Sequence, residues 1–81
     1  MILVDVYVPA LDRTFDFRLD EKAKIGQIMI EMQDIFTKKL KESREIKQNF
    51  MLCSMEQKEE LPIYKTLSEC RIKDGSRLML I

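Results

Sequence analysis

The chain has 81 residues, of which 46% are hydrophobic and 35% are charged, and its 14 basic side chains equal its 14 acidic ones. This length predicts a single domain spanning residues 1–81, and the composition is typical of a folded globule. A formal net charge of zero gives no electrostatic basis for binding nucleic acid or an anionic membrane. We therefore predict a compact module without a nucleic-acid partner.

No apolar run approaches the roughly 20 residues that cross a bilayer. The apolar start MILVDVYV alternates, contains Asp5 and has no basic leader. We therefore expect a cytoplasmic protein without direct membrane insertion. Cys53 and Cys70 are expected to be reduced thiols, and the absence of histidine and of CxxC spacing predicts no metal and no cofactor.

Two N-terminal stretches alternate with the period of half-buried strands, residues 2–8 and residues 14–20. Pro9 and Asp12 favour a hairpin loop over 9–13. We predict an antiparallel hairpin whose second strand turns Phe15, Phe17 and Leu19 to one face. In the first strand, one face carries Ile2, Val4, Val6 and Val8, and the other carries Leu3, Asp5 and Tyr7.

The period then changes to that of a helix, with apolar residues at three- and four-residue steps. The predicted stripe consists of Ile25, Ile28, Met29, Met32, Ile35, Phe36 and Leu40. Gly26 lowers helix propensity, and a close approach of the helix to a strand would explain it. Residues 41–47 are predicted to be the end of the helix followed by a connection.

The rest of the chain favours short strands: a third strand over 49–55, a polar turn over 56–60 and an edge strand over 61–63, since Pro62 cannot donate to a ladder. We predict a helical turn at 66–69, a turn at 73–76 and a final strand at 77–81. The order implies an α+β fold, with a mixed sheet of four to five strands and one long helix packed on one face. The first and last strands are expected to pair in parallel at its centre.

The last sixteen residues, TLSECRIKDGSRLMLI, resemble the closing segment of ubiquitin-like (β-grasp) domains. The resemblance implies that Leu67 enters the core, that Ile72 seals its base, and that Leu78 and Leu80 face the helix. Within that family the ending is similar to that of the small bacterial YukD/EsaB proteins, which are encoded with type VII (ESX-like) secretion systems. It implies a cytoplasmic accessory component of such a system.

The chemistry of catalysis is missing from the sequence, which has no histidine, no Gly-rich phosphate loop and no Gly-x-Ser-x-Gly. Glu59 and Glu60 are expected to be solvated charges, and Cys70 a small hydrophobe near the core. The sequence ends in Leu80-Ile81 where ubiquitin-like modifiers carry a flexible Gly-Gly tail. We therefore expect neither an enzyme nor a conjugated modifier.

The face of the sheet opposite the helix is the candidate working surface. If Phe50, Leu52, Leu78 and Leu80 face the helix, alternation sends their neighbours to the other side. The predicted protein-binding surface is Leu3, Tyr7, Met51, Cys53, Met79 and Ile81. Methionine adapts to varied partners, which favours docking. The family resemblance also implies recognition by this face, with Met51 and Ile81 near its apolar centre.

Three interpretations of this surface follow: docking of a protein partner, pairing with a second copy as a homodimer, and scattered apolar residues without a role. The leading hypothesis is a non-catalytic module that docks on the type VII secretion machinery through this face. The alternative is a regulatory or scaffold domain unrelated to secretion.

Overall fold

The computed structural model of the chain describes residues 1–40 and 50–81, and within the helix it describes side chains as far as Phe36. The predicted connection over 41–47 lies outside the described residues. The elements are β1 (Ile2–Val8), a 3-10 turn (Pro9–Leu11), β2 (Arg13–Leu19), α1 (Ile25–Leu40), β3 (Leu52–Ser54), β4 (Glu59–Glu60) and β5 (Arg77–Leu80).

The strands form one five-stranded sheet in the order β2-β1-β5-β3-β4. β1 and β5 pair in parallel, whereas the other three neighbouring pairs are antiparallel. The prediction of a mixed α+β sheet with one long helix is therefore confirmed, including the parallel pairing of the first and last strands. The hairpin closes at Asp12, whose left-handed φ of 50° is one that a short polar side chain tolerates.

The core lies between the helix and one face of the sheet. Alternate residues of β1, β3 and β5 supply one side of it, and the apolar stripe of α1 supplies the other. The buried apolar side chains are Val4, Val6, Val8, Leu19, Ile25, Ile28, Met29, Met32, Phe36, Leu52, Leu61, Leu67, Ile72, Leu78 and Leu80. Leu67, Ile72, Leu78 and Leu80 thus occupy the buried positions that the family resemblance implied.

The edge strand differs from the prediction. It is β4, which lies within the stretch expected to be a polar turn, and residues 61–63 form no strand. Leu61 still donates its N–H to the Leu52 carbonyl at 2.7 Å, but Pro62 has no N–H with which to continue the ladder. The chain turns there, and the Ile63 carbonyl accepts a hydrogen bond from Gly26.

One expectation is corrected on α1. Ile35, predicted on the buried stripe, is exposed, because Met32 and Phe36 already occupy the sheet-facing positions four residues apart. The helical turn predicted at 66–69 is present as a hydrogen-bonded turn, in which the N–H of Cys70 donates to the Thr66 carbonyl at 3.2 Å and Thr66 also forms a bridge with Lys24. Arg71, at a φ of 62°, ends that turn.

Candidate functional site

The registry of three strands brings most of the predicted surface together. Tyr7 of β1 pairs with Met79 of β5, and Met79 pairs with Cys53 of β3. One step along the sheet, the N–H of Met51 donates to the Ile81 carbonyl at 2.6 Å, and the N–H of Ile81 donates to the Met51 carbonyl at 2.9 Å. We call these five residues the apolar patch.

The apolar patch lies on the open face, because its members alternate with the buried residues of the same strands. Met51 is 42% exposed and Ile81 is 37% exposed, while Tyr7, Cys53 and Met79 are half-buried. The Tyr7 hydroxyl donates to an Asp12 carboxylate oxygen at 3.1 Å. That hydrogen bond raises the pKa of Tyr7, so the ring stays neutral and is held at the margin of the patch.

A charged row borders the apolar patch on the same face. Asp16, Asp5 and Arg77 lie side by side on β2, β1 and β5. The Nε of Arg77 donates to a carboxylate oxygen of Glu56 at 2.9 Å, and this contact lowers the pKa of Glu56. The patch therefore has a polar rim on one side.

Leu3 does not join the other five predicted residues. It lies four residues from Tyr7 along β1, roughly 13 Å at the usual rise of a strand, and Asp5 stands between them. Leu3 is 48% exposed beyond the charged row. The six-residue surface predicted from the sequence is therefore a five-residue patch and one isolated leucine.

The two thiols are free and poorly suited to nucleophilic chemistry. Desolvation, and after it the charge of Glu60, raises the pKa of Cys53 on the open face. Burial is also the main cause of the raised pKa of Cys70, which packs against the core. Both sulfurs are therefore protonated at neutral pH and are weak nucleophiles and weak metal ligands.

Residues 1–40 and 50–81 contain no cluster of acidic or cysteine side chains placed to hold a metal ion. In the same ranges, no helix combines the length and the apolar character needed to span a membrane.

Sequence reasoning missed a second apolar surface at the sheet margin. An apolar groove runs between the first half of α1, the two residues before β3 and the turn after Pro62, and it is lined by Gly26, Met29, Ile30, Gln33, Phe50, Met51 and Ile63. Ile30 and Ile63 are 61% and 60% exposed. An apolar residue outside the predicted stripe of α1, Ile30, was the one sequence feature that could have indicated this groove. The position of Ile63 depends on a turn in a segment predicted as a strand. Met51 borders both surfaces.

Comparison with solved structures places this architecture among ubiquitin-like domains. A ubiquitin-like domain of EccD5 from Mycobacterium xenopi is similar, with a TM-score of 0.78 and 21% identity over 99% of this chain and 91% of that one. The ubiquitin-like domain of an Arabidopsis thaliana protein has a TM-score of 0.73 and 20% identity, covering 99% of this chain and 74% of the other. No curated protein matches the sequence.

At these identities the structural similarity shows the fold, and the family follows from a separate comparison of sequence. The family model described as protein YukD of the WXG100 protein secretion system (Wss) matches residues 3–80. That range includes β1 from Leu3 onward, β2, the helix, and the closing segment as far as Leu80. The chain therefore belongs to the YukD family.

Proposed function

We propose that this protein is a non-catalytic accessory component of a WXG100 (type VII) secretion system and that it acts in the cytoplasm by docking on a protein of the machinery. The observation that carries the proposal is the apolar patch in a chain of the YukD family. The ubiquitin-like fold leaves one sheet face uncovered, and that is where the patch lies.

The composition of the patch favours a protein partner. Two methionines supply flexible apolar contact area, an isoleucine adds to it, and the half-buried tyrosine contributes a rigid ring with a polar tip. The charged row next to it supplies the polar rim that protein interfaces commonly have. A partner with an apolar anchor flanked by charged groups fits this arrangement.

The side chains support a binding role over a catalytic one. Both thiols have raised pKa values, and the adjacent acids Glu59 and Glu60 are exposed on a short edge strand. No histidine is available as a general base anywhere in the sequence. Docking through the open face accounts for the patch without requiring a reaction.

Replacing Met79 with glutamate tests the proposal, because Met79 sits between Tyr7 and Cys53 and lines no part of the groove. In cells whose own copy carries Met79→Glu, we expect secretion of WXG100 proteins to fall sharply at an unchanged level of the variant. A buried charge at the centre of an interface weakens binding by roughly thirtyfold or more.

Leu3→Glu is the matched control, since it adds the same charge to the same face outside the patch. Secretion at the wild-type level in the Leu3 variant and its loss in the Met79 variant supports docking by the patch. Normal secretion from cells lacking the protein altogether would contradict the proposed role. A scaffold function unrelated to secretion would then be the remaining interpretation.

A further inference from the structure

We propose that β2 is a self-pairing edge, through which two copies of this chain join their sheets in antiparallel register centred on Phe17. The proposal concerns a different surface from the apolar patch and does not depend on the proposed function. It rests on the direction of the backbone groups of β2, on the contrast between the two edges of the sheet, and on the order of charges along the strand.

Hydrogen bonds of β1 fix which groups of β2 point outward. Asp5 donates its N–H to the Ser76 carbonyl at 3.1 Å, and the Leu3 carbonyl accepts from Gly75 at 2.8 Å, so alternate residues of β1 direct their backbone groups toward β5. The intervening residues, which pair with Phe15 and Phe17, bond to β2. The N–H and carbonyl groups of Thr14, Asp16 and Arg18 therefore point away from the sheet.

The two edges of the sheet are built differently. β4 is two residues long, is acidic and is followed closely by Pro62, all of which discourage strand addition. β2 has seven residues, contains neither proline nor lysine, and pairs with β1 residue for residue without a bulge. In the described part of the chain, β1 is its one strand partner. β2 carries charged side chains, but its length and its regular pairing make it the edge better suited to strand addition.

The sequence of β2 is complementary to itself in one register. When Phe17 faces Phe17 of a second copy, Asp16 faces Arg18 of that copy and Arg18 faces its Asp16. The outward backbone groups of these residues then meet as hydrogen-bonded pairs, giving about four new backbone hydrogen bonds. Shifting the centre by one residue either way places Asp16 or Arg18 opposite itself. Like charges therefore disfavour the two neighbouring registers.

The opposite face of the same strand is apolar and incompletely covered. Phe15 and Phe17 are half-buried, and their ring centroids lie 5.0 and 5.7 Å from that of Phe36 in α1. In the proposed pairing Phe15 faces Leu19 of the second copy, so the rings of Phe15 and Phe17 become more buried. The two-fold axis is perpendicular to the sheet, which leaves both apolar patches on one face and makes the pair bivalent.

Charge-swap variants test the register. For the reduced wild-type chain, sedimentation from micromolar to millimolar concentration is expected to show a monomer–dimer equilibrium. Asp16→Arg and Arg18→Asp, taken singly, each turn both attractive contacts into repulsions and should weaken the dimer roughly tenfold or more. An equimolar mixture of the two variants should associate again, because every altered charge then faces its opposite. The double variant should also dimerise by itself.

Amide hydrogen exchange on the wild-type chain gives a second readout that needs no variant. The N–H groups of Asp16 and Arg18 should exchange rapidly in dilute solution and slow at high concentration. Those of Phe15 and Phe17, which bond to β1, should be protected in both. The proposal is overturned if the wild-type chain stays monomeric at every concentration. It is also overturned if the exchange rates of the Asp16 and Arg18 amides do not depend on protein concentration. An Arg18→Asp variant that dimerises as tightly as the wild type overturns the register.

Discussion

Asp5 and Asp16 face each other across the first hairpin on the open side of the sheet. A hydrogen bond between the two carboxyl groups is the main cause of the raised pKa of Asp5, followed by desolvation and by repulsion from Asp16. The nearby Arg77 opposes this shift but contributes least. Protonation of one of these two adjacent carboxylates therefore lowers the free energy of the folded state.

Replacing Asp5 with asparagine should stabilise the protein at neutral pH. The pKa of Asp5 is higher in the folded chain than its ordinary value of 3.8. The folded state therefore binds the proton more tightly, and the wild type gains stability as the pH falls through the raised pKa. Asp5→Asn removes the repulsion and supplies an amide N–H that can donate to Asp16. We expect a higher melting temperature at pH 7 and a gain that shrinks as the pH approaches 3.8.

Asp16→Asn is the matched variant, because it removes the same repulsion from the other strand. Melting curves of both variants and of the wild type, recorded in dilute solution between pH 7 and pH 4, measure the effect. A stability difference that stayed constant over this range, or a loss of stability at neutral pH, would show that the two carboxyl groups do not oppose each other.

At the scale of elements, backbone carbonyl groups from another part of the chain cap the N-terminus of α1. The N–H of Ile25 donates to the Lys65 carbonyl at 2.8 Å, and the N–H of Gly26 donates to the Ile63 carbonyl at 3.0 Å. These bonds satisfy two donors that a helix normally leaves open. The turn after Pro62 therefore supplies the cap that a serine or aspartate side chain supplies in other helices.

Gly26→Ala should lower stability despite the better helix propensity of alanine. A Cβ at this position would lie 3.3 Å from the Ile63 carbonyl oxygen and 3.4 Å from the Ile63 Cβ. Making room would stretch the capping hydrogen bond. Where an ordinary helical glycine gains up to about 1 kcal/mol on this change, we expect a loss of about 1 kcal/mol in urea unfolding.

Gln27→Ala provides the control, because Gln27 is the next residue along the helix and its side chain is exposed. We expect this substitution to change the free energy of unfolding by less than about 0.5 kcal/mol. If Gly26→Ala were to stabilise the chain as much as it does in an open helix, the close approach of the turn would have no energetic consequence.

The accuracy of the sequence predictions followed the strength of the periodic signal. β1, β2 and β5 alternate clearly between more and less exposed residues, so their faces and approximate bounds followed from the pattern. β4 has only two residues and no period to detect. Gly26 was expected to approach a strand, but the neighbour is the turn at Ile63, whose position depends on tertiary hydrogen bonds that no local pattern encodes.

The prediction of the candidate site was also accurate only where it depended on strand alternation. Alternation correctly placed the patch residues on the open face, but it could not show which of them are neighbours, since this depends on strand order and register. The parallel pairing of β1 with β5 brings Tyr7 beside Met79 and leaves Leu3 across the charged row. The groove beside Ile63 required the full packing of helix and turn.

At the scale of the whole molecule, the sheet divides the protein into two sides of different composition. One side is covered by α1 and holds the core, and the other carries the apolar patch with its charged rim. The groove at Ile30 and Ile63 offers a competing surface at the margin. Docking through the open face therefore predicts a partner that contacts Met79 and leaves Leu3 and Ile63 free.

Site-specific photo-cross-linking in cells that carry the secretion system shows most directly which surface of the protein contacts the partner. A photoreactive side chain is placed at Met79 and, in separate strains, at Leu3 and at Ile63, and the adducts are identified by mass spectrometry. We expect the Met79 strain to yield an adduct with a component of the secretion machinery and the other two strains to yield none. Adducts with that machinery from Leu3 or Ile63 and none from Met79 would contradict docking through the patch.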